Sequence, residues 1–346
     1  MAKSKKQQPE VDQRVPYFQF IMIKDPHFRF GFDRPIGRSD KFEEHIRAKL
    51  KFVMEYAYKR GVKYLMIPGD VTDKKNPSDY SLIRVNTMIE EMQRLKHVFS
   101  DGILTIRGNH DIPQNYDPEQ SIYNFLGRFG FITGLADGSM VSPVHGLRVW
   151  SVEFSRSGDT MQRLADLNGR MYESDYNVVM VHDYFAPLMK DNKFVQYLRY
   201  EDLVQFDRVD VFLFGHLHTG FPVKSYKTAS RTQYYVNPWG FTRLVRDEPS
   251  KLEDHIPQLV HVRVHCEQSG GFITSIDQIN LPCAPYSEAF VEEEYQMEKE
   301  FGSSISEFVN SMRGFDGDGD DMSSLVLRDD LRSRVDYYLS LADKGV

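Results

Sequence analysis

Five short apolar runs in this chain each lead directly into residues suited to holding a cation. The runs cover 17–23, 64–67, 103–106, 178–181 and 211–214, and each has the length of a buried strand. After them come Asp25 with His27, then Gly69-Asp70, Gly108-Asn109-His110-Asp111, His182, and Gly215-His216-Leu217-His218. Nine carboxylate, amide and imidazole side chains are thereby placed where strands end, along one edge of a sheet. One strand-end histidine alone would mean little. Five such turns together describe a two-metal hydrolytic centre.

The intervening sequence fixes the fold class. Residues 42–59 carry apolar side chains at 42, 46, 50, 53 and 57, a helical stripe that Gly61 stops; residues 82–95 repeat the pattern. Strands alternating with helices, with ligands at the strand ends, predict an α/β layered fold. Beyond residue 140 strands predominate, at 147–152, 178–181, 211–214, 233–236 and 259–265. The expected architecture is two mixed β-sheets packed face to face with flanking helices, four layers in all. Residues 1–16 read as a disordered N-terminal arm, 17–283 as the catalytic domain and 284–346 as a small C-terminal helical appendage.

That appendage accounts for the charge balance. The chain is −7 overall, but residues 284–346 hold 15 of its 50 acids and only 6 of its 43 bases. The rest of the chain is close to neutral, so net charge does not exclude a nucleic-acid partner. Residues 288–312 are acidic and helix-compatible, and Leu327, Leu331, Val335 and Leu339 form a second stripe. Between them, 316–327 begins like a calcium loop but has Asp321 at its sixth position and Leu327 at its twelfth, which favours an acidic linker. Two cysteines are too few for a disulfide framework, no run reaches membrane-spanning length, and the N-terminus lacks a signal-peptide core. A cytoplasmic protein is expected, in the host cytoplasm if phage-encoded.

The order D-x-H, G-D, G-N-H-D, H, G-H-x-H resembles that of the calcineurin-like metallophosphoesterases. Within that superfamily the chain is similar to SbcD-type DNA-repair nucleases and their phage-encoded relatives. Gly69 to Asp73 followed by Asn76-Pro77-Ser78 resembles the SbcD stretch "GDxFD…NPS". Tyr234 to Pro238 with Thr242-Arg243 resembles "NPGS…R", and Pro35, Arg38 and Asp40 match the phage pattern. Pro26 inside the first motif, and Trp239-Gly240-Phe241 where Gly-Ser is usual, depart from it. Protein Ser/Thr phosphatases carry "GDxVDRG" and "GNHE", which Asp73-Lys74-Lys75 and Asn109-His110-Asp111 do not match.

The resemblance implies roles for these residues. Asp70 would bridge two divalent ions, with Asp25, His27 and His218 completing one shell and Asn109, His182 and His216 the other. Mixed imidazole, carboxylate and amide ligation suits Mn²⁺, Fe²⁺ or Zn²⁺ better than Mg²⁺ or Ca²⁺, and the family likeness tips this to Mn²⁺. His110 matches the family's catalytic histidine, and Asp111 would orient it. Asp73 either supports the ligands from behind or is a solvated turn residue.

Substrate contacts are read from composition. The loop 28–34 together with Arg38 mixes cations with aromatics, so Arg29 and Arg38 could steer a DNA end, with Arg243 a similar case. The phenylalanines of that loop could equally pack the core. His261 and His265, flanking Arg263, read as a solvated strand face. The leading expectation is a manganese-dependent nuclease subunit acting on DNA in repair or recombination, possible as a homodimer, with an SbcC-like coiled-coil ATPase. A small-molecule phosphodiesterase or phosphatase is the alternative. The Leu327–Leu339 stripe would either insert into a groove of that partner or pack back on its own domain.

Overall fold

A computed structural model describes residues 17–30, 34–35, 37–73, 81–113, 118–155, 157–187, 197–243, 255–267 and 271–291. Twelve strands are described: β1 (Phe18–Ile23), β2 (Tyr64–Ile67), β3 (Gly102–Thr105), β4 (Thr133–Gly134), β5 (Met140–Val144), β6 (Leu147–Val152), β7 (Tyr176–Asp183), β8 (Val211–His216), β9 (Phe221–Lys227), β10 (Thr232–Asn237), β11 (Gln258–Cys266) and β12 (Phe272–Asn280). The helices are α1 (Phe42–Arg60), α2 (Leu82–Val98), α3 (Ile122–Arg128), α4 (Thr160–Arg170), and the single turns α5 (Tyr200–Leu203) and α6 (Tyr286–Ala289).

The strands form two mixed six-stranded sheets, ordered β12-β11-β1-β2-β3-β4 and β5-β6-β7-β8-β10-β9. Parallel pairing runs through the centre of each, from β1 to β4 in the first and from β6 through β7 and β8 to β10 in the second. Antiparallel strands sit at the margins. Central parallel strands share one C-terminal edge in each sheet, and that is where the ligand-bearing turns emerge.

Period-two alternation sorts each strand between two cores. Phe18, Phe20 and Met22 of β1 join Val149 of β6, Val178 and Met180 of β7 and Leu213 of β8 between the sheets. Ile21 and Ile23 face the other way, against Ile46, Leu50 and Val53 of α1 and Met88 and Met92 of α2. On the far side, Val179, Val181, Phe212 and Phe214 meet Leu164 and Leu167 of α4. Helix, sheet, sheet, helix is the four-layer order expected from the sequence. α1 carries Glu43 and Glu44 in its first turn and Lys59 and Arg60 in its last, which suits the helix dipole, and Gly61 closes it in the left-handed conformation at φ 64°.

Three expectations change. The strands β4, β5, β9 and β12 are short, marginal or half-exposed, and their mixed polarity hid them. His261 does not face solvent: it is buried, with Nε2 bonded to Gln19 Oε1 at 3.1 Å and Nδ1 accepting from the Tyr56 hydroxyl at 3.2 Å. Residues 284–291 are built into the domain, not appended to it. Ser39 N donates to Ala289 O, Val291 N donates to Gly37 O, and Arg38 lies between the rings of Phe42 and Phe290. The boundary therefore falls at residue 291 or later. The N-terminal arm, the acidic loop and the Leu327–Leu339 stripe lie outside the described residues.

His261 gives a pH test of the packing. Burial holds its imidazole down at about 4, from an ordinary 6.5. A folded value below the unfolded one means stability is full above 6.5 and is lost as pH falls toward 4. In urea unfolding of the metal-free protein, His261→Gln should flatten part of that decline, and parallel profiles for the two proteins would exclude the coupling.

Candidate metal centre

Among the described residues four non-glycine residues have a positive φ, and all four are ligand candidates: Asp25 (46°), His27 (43°), Asp70 (49°) and His216 (94°). Left-handed backbone costs an ordinary residue roughly 1–2 kcal/mol, so strain is concentrated at this one edge. It marks the sharp turns that follow β1 and β2 and the end of β8. Glycines make room for the approach. A Cβ on Gly108 would lie 2.2 Å from Asp70 Oδ1, and one on Gly215 would lie 2.0 Å from the Pro68 carbonyl oxygen.

Two groups of ligand atoms result. In the first, His27 Nε2 stands 3.0 Å from His218 Nε2 and 3.6 Å from Asp70 Oδ2. In the second, His182 Nε2 stands 3.2 Å from Asn109 Oδ1 and 3.5 Å from the same Asp70 Oδ2, while His216 Nδ1 lies 2.8 Å from Asn109 Oδ1. Ligands at roughly 2.0–2.2 Å from a shared ion stand roughly 3–3.5 Å apart, so these spacings fit two coordination shells. Asp70 Oδ2 belongs to both. His182 Nδ1 donates to the Pro68 carbonyl at 2.7 Å, which fixes the tautomer and leaves Nε2 for a metal. His27 Nδ1 and His216 Nε2 are buried with no hydrogen-bond partner. Asp25, fully buried, accepts from the His216 backbone N–H through both oxygens, at 2.9 and 3.1 Å.

The electrostatics call for added positive charge. Burial pushes Asp25 up to about 6 even though His182 and Lys24 oppose it. Burial drives His216 down to about 3, helped by His182, and holds His27 well below its usual range. His182 goes the other way: burial opposes its charge, but Asp70, Asp25 and the Pro68 carbonyl raise it to about 9. Asp70 is held well below the carboxylate range because His182 and His27 outweigh its burial. The carboxylates thus pull the His182 imidazole toward its charged form. Divalent ions fit the need for positive charge without leaving the remaining imidazoles charged.

The other site candidates separate. His110 is half-exposed above the buried ligands, its ring edge-on to His27 at 4.7 Å. Its Nδ1 donates to the Asp73 carbonyl at 3.0 Å and its backbone N–H to Asp70 Oδ1 at 2.8 Å. Asp111 does not orient that ring, contrary to expectation. Its carboxylate accepts from the backbone N–H groups of Val71, Thr72 and Gly108 at 2.9–3.2 Å and from the Thr72 hydroxyl at 2.9 Å. It latches the turn after β2 to the turn after β3. Burial, with Asp70 adding to it, pushes its carboxyl up to about 7. The Asp73 carboxylate pairs with Arg29 at 2.9 Å and lies 3.9 Å from His27 Nδ1, behind the ligands.

Arg38 and Arg243 are not substrate contacts. Arg38 is 2 % exposed and donates to the carbonyls of Ala289 and Arg243; Arg243 is 4 % exposed and donates to the Ala284 carbonyl at 2.8 Å. Both hold the residue 284–291 segment. Phe28 and Phe30 of the same loop are core residues, stacked at 5.4 Å. What composition missed is a group of aromatics beside His216: Phe154 at 5.3 Å, Tyr184 edge-on at 4.1 Å, and Tyr197 at 6.2 Å from Tyr184. Phe154 follows β6, a central parallel strand, so the strand-end rule that found the ligands also points to it.

The model of the calcineurin-like phosphoesterase family matches residues 20–220, more than half of the chain. The chain belongs to that family, a metallophosphoesterase superfamily that binds two divalent metals. No curated protein matches the sequence. Among solved structures it is similar to a Staphylococcus aureus protein named as a 5'-nucleotidase in complex with alpha-ketoglutarate, at 12% identity and TM-score 0.45, covering 82% of this chain and 57% of that one. It is also similar to TT1561 of Thermus thermophilus (10% identity, TM-score 0.40, 75% of this chain and 98% of that one). A third is Chaetomium thermophilum Vps29 (11% identity, TM-score 0.33, 77% and 100%). No helix among the described residues is long and apolar enough to cross a membrane.

The Asp111 latch is directly testable. Asp111→Ala leaves three buried N–H donors without an acceptor, at about 1–3 kcal/mol each. The melting temperature and the affinity for Mn²⁺ should both fall in calorimetry. Unchanged metal affinity would remove Asp111 from the support of the centre.

Proposed function

We propose that this metallophosphoesterase is a Mn²⁺-dependent nuclease that cleaves DNA phosphodiesters in repair, recombination or end processing. The observation that carries the hydrolytic part is Asp70 Oδ2, shared between the His27–His218 and His182–Asn109–His216 groups. Asp25, His27, Asp70 and His218 would hold one ion, and Asp70, Asn109, His182 and His216 the other. When bound, such a pair activates a shared water and neutralises charge on the attacking and leaving oxygens.

The chain's own residues do the rest. A carbonyl only accepts, so the bond to Asp73 O keeps the proton on His110 Nδ1. Nε2 is then the nitrogen that would exchange a proton with the reacting oxygens, giving one to the leaving oxygen from the doubly protonated ring. The Asp73–Arg29 pair holds the loop that supplies that carbonyl. DNA as substrate rests on the motif likeness to SbcD-type nucleases and on the aromatic group beside His216, since aromatic faces stack unpaired bases of any sequence. With Arg38 and Arg243 buried, the cationic loop adds little to that support.

Asp70→Asn should lower metal content and abolish hydrolysis of single-stranded DNA while leaving the circular dichroism spectrum unchanged. Two metals per chain with near-normal turnover would sink the assignment. His110→Ala should keep both metals and lose about 10²–10⁴ in rate; loss of metal stoichiometry would make His110 a ligand instead. Faster hydrolysis of cyclic nucleotides than of DNA by the wild type would favour the small-molecule alternative.

The C-terminal region is proposed to dock on a coiled-coil ATPase of SbcC type, with a homodimer of this chain at the centre of the assembly. Truncation should be made after Val291, because the segment before it is part of the domain. The shortened chain should stay soluble and cleave DNA near-normally while losing the partner. Aggregation would mean that the stripe covers its own domain.

A further inference from the structure

Lys24, the residue before Asp25, is 0 % exposed. An ammonium group has three donors and no acceptor, and burying one is costly unless all three are met. Here they are met by three acceptors: the Leu217 carbonyl, the Thr219 carbonyl at 3.1 Å, and Asn237 Oδ1 at 2.7 Å. The two carbonyls belong to the residues on either side of His218. Asn237 completes the arrangement by donating Nδ2 to Thr219 O at 3.1 Å. The backbone of His218 itself accepts from Gly240 N at 3.0 Å. Lys24 is tied down in turn, its carbonyl accepting from Phe241 N at 2.7 Å, while Thr242 Oγ1 donates to the Pro26 carbonyl at 2.6 Å.

These contacts close a loop between two ligand turns that lie 191 residues apart in sequence, those of His27 and His218. Nothing in the backbone ladder does this. β1 lies in the first sheet and β8 in the second, so their C-terminal turns have no shared hydrogen-bonded register. A hydrocarbon side chain at position 24 would fill the same space and leave the Leu217 and Thr219 carbonyls without this donor. An ammonium group here is therefore explained by what it holds.

We infer that Lys24 is a positioning residue that sets His218 against His27, and so determines the affinity of the ion site these two histidines share. Its ammonium pins the peptide on each side of His218, and Asn237 holds it on target. The inference rests on the two-ion reading of the centre. It assigns the Asn237-Pro238-Trp239-Gly240-Phe241-Thr242 stretch the job of clamping two metal turns together.

The test is Mn²⁺ binding to the full-length protein, followed by calorimetry and by electron paramagnetic resonance. Lys24→Met should weaken one of two sites by about 10–100-fold, the range for partners that orient a ligand. The spin-coupled signal of a manganese pair should give way to that of a single ion at substoichiometric metal. Asn177→Leu is the control: Asn177 is a buried amide whose Nδ2 lies 2.9–3.2 Å from three carbonyl oxygens that share its two N–H donors, on the opposite end of β7 from His182. It should lower the melting temperature without touching either site. If Lys24→Met does not fold, Lys24→Gln, with two donors on a shorter side chain in place of three, should weaken the same single site by a smaller factor, and unchanged affinity at both sites would overturn the role. Equal weakening of both sites, or a loss of melting temperature with both affinities intact, would overturn the positioning role. A wild type that binds no metal would overturn the two-ion reading itself, a separate failure.

Discussion

The Asp70 carboxylate, buried among imidazoles from both sheets, is the constraint on which the rest of the site depends. One oxygen accepts from the His110 backbone and the other lies within 3.6 Å of both His27 and His182. A buried carboxylate in that setting is tolerable only with cations close by. The surrounding architecture keeps it there: a left-handed turn at Asp70, a glycine at 108 with no Cβ to obstruct it, and the Asp111 latch that fixes the next turn. Strain, close packing and charge all point at one atom. That coincidence is hard to account for by folding alone and easy to account for by metal binding.

How much of this was legible in the sequence follows from which forces are local. The apolar run at 64–67 coincides with a strand because a buried parallel strand needs an unbroken apolar run, which sequence displays directly; at 147–152 Arg148 and Ser151 interrupt the run, and Leu147, Val149, Trp150 and Val152 still mark the strand. Phe42 and Gly61 mark the two ends of α1 for the same reason. The candidate ligands were legible because each follows a strand in a short, distinctive motif. The arginines were not. Arg38 looked like a surface cation because an arginine in a polar loop usually is one. Its burial depends on Phe290, 252 residues later, whose approach no local pattern encodes. Asp111 was misplaced for a related reason. Adjacency to His110 in sequence suggested a contact, but the turn sends the two side chains apart, one to the opening and one to the backbone of the neighbouring loop.

Lys24 and His261 show the same rule from the other side. A lysine after an apolar strand reads as a strand end reaching water, and a histidine in an alternating strand reads as a solvated face. Both are buried because a second element distant in sequence brings matching partners: acceptors from Leu217, Thr219 and Asn237 for the first, the Gln19 acceptor and the Tyr56 donor for the second. Buried polar groups require partners, and partners distant in sequence are visible only in the fold. The site thus has two tiers. The ligands are written locally, and the clamps that hold them are written across the whole domain.

The central claim is that two cations share Asp70. Anomalous diffraction from crystals of the full-length protein grown with Mn²⁺ tests it most directly. The account calls for two peaks flanking the Asp70 carboxylate, one against His27 and His218 and one against Asn109, His182 and His216. A single peak, or peaks that leave Asp70 uncoordinated, would contradict it.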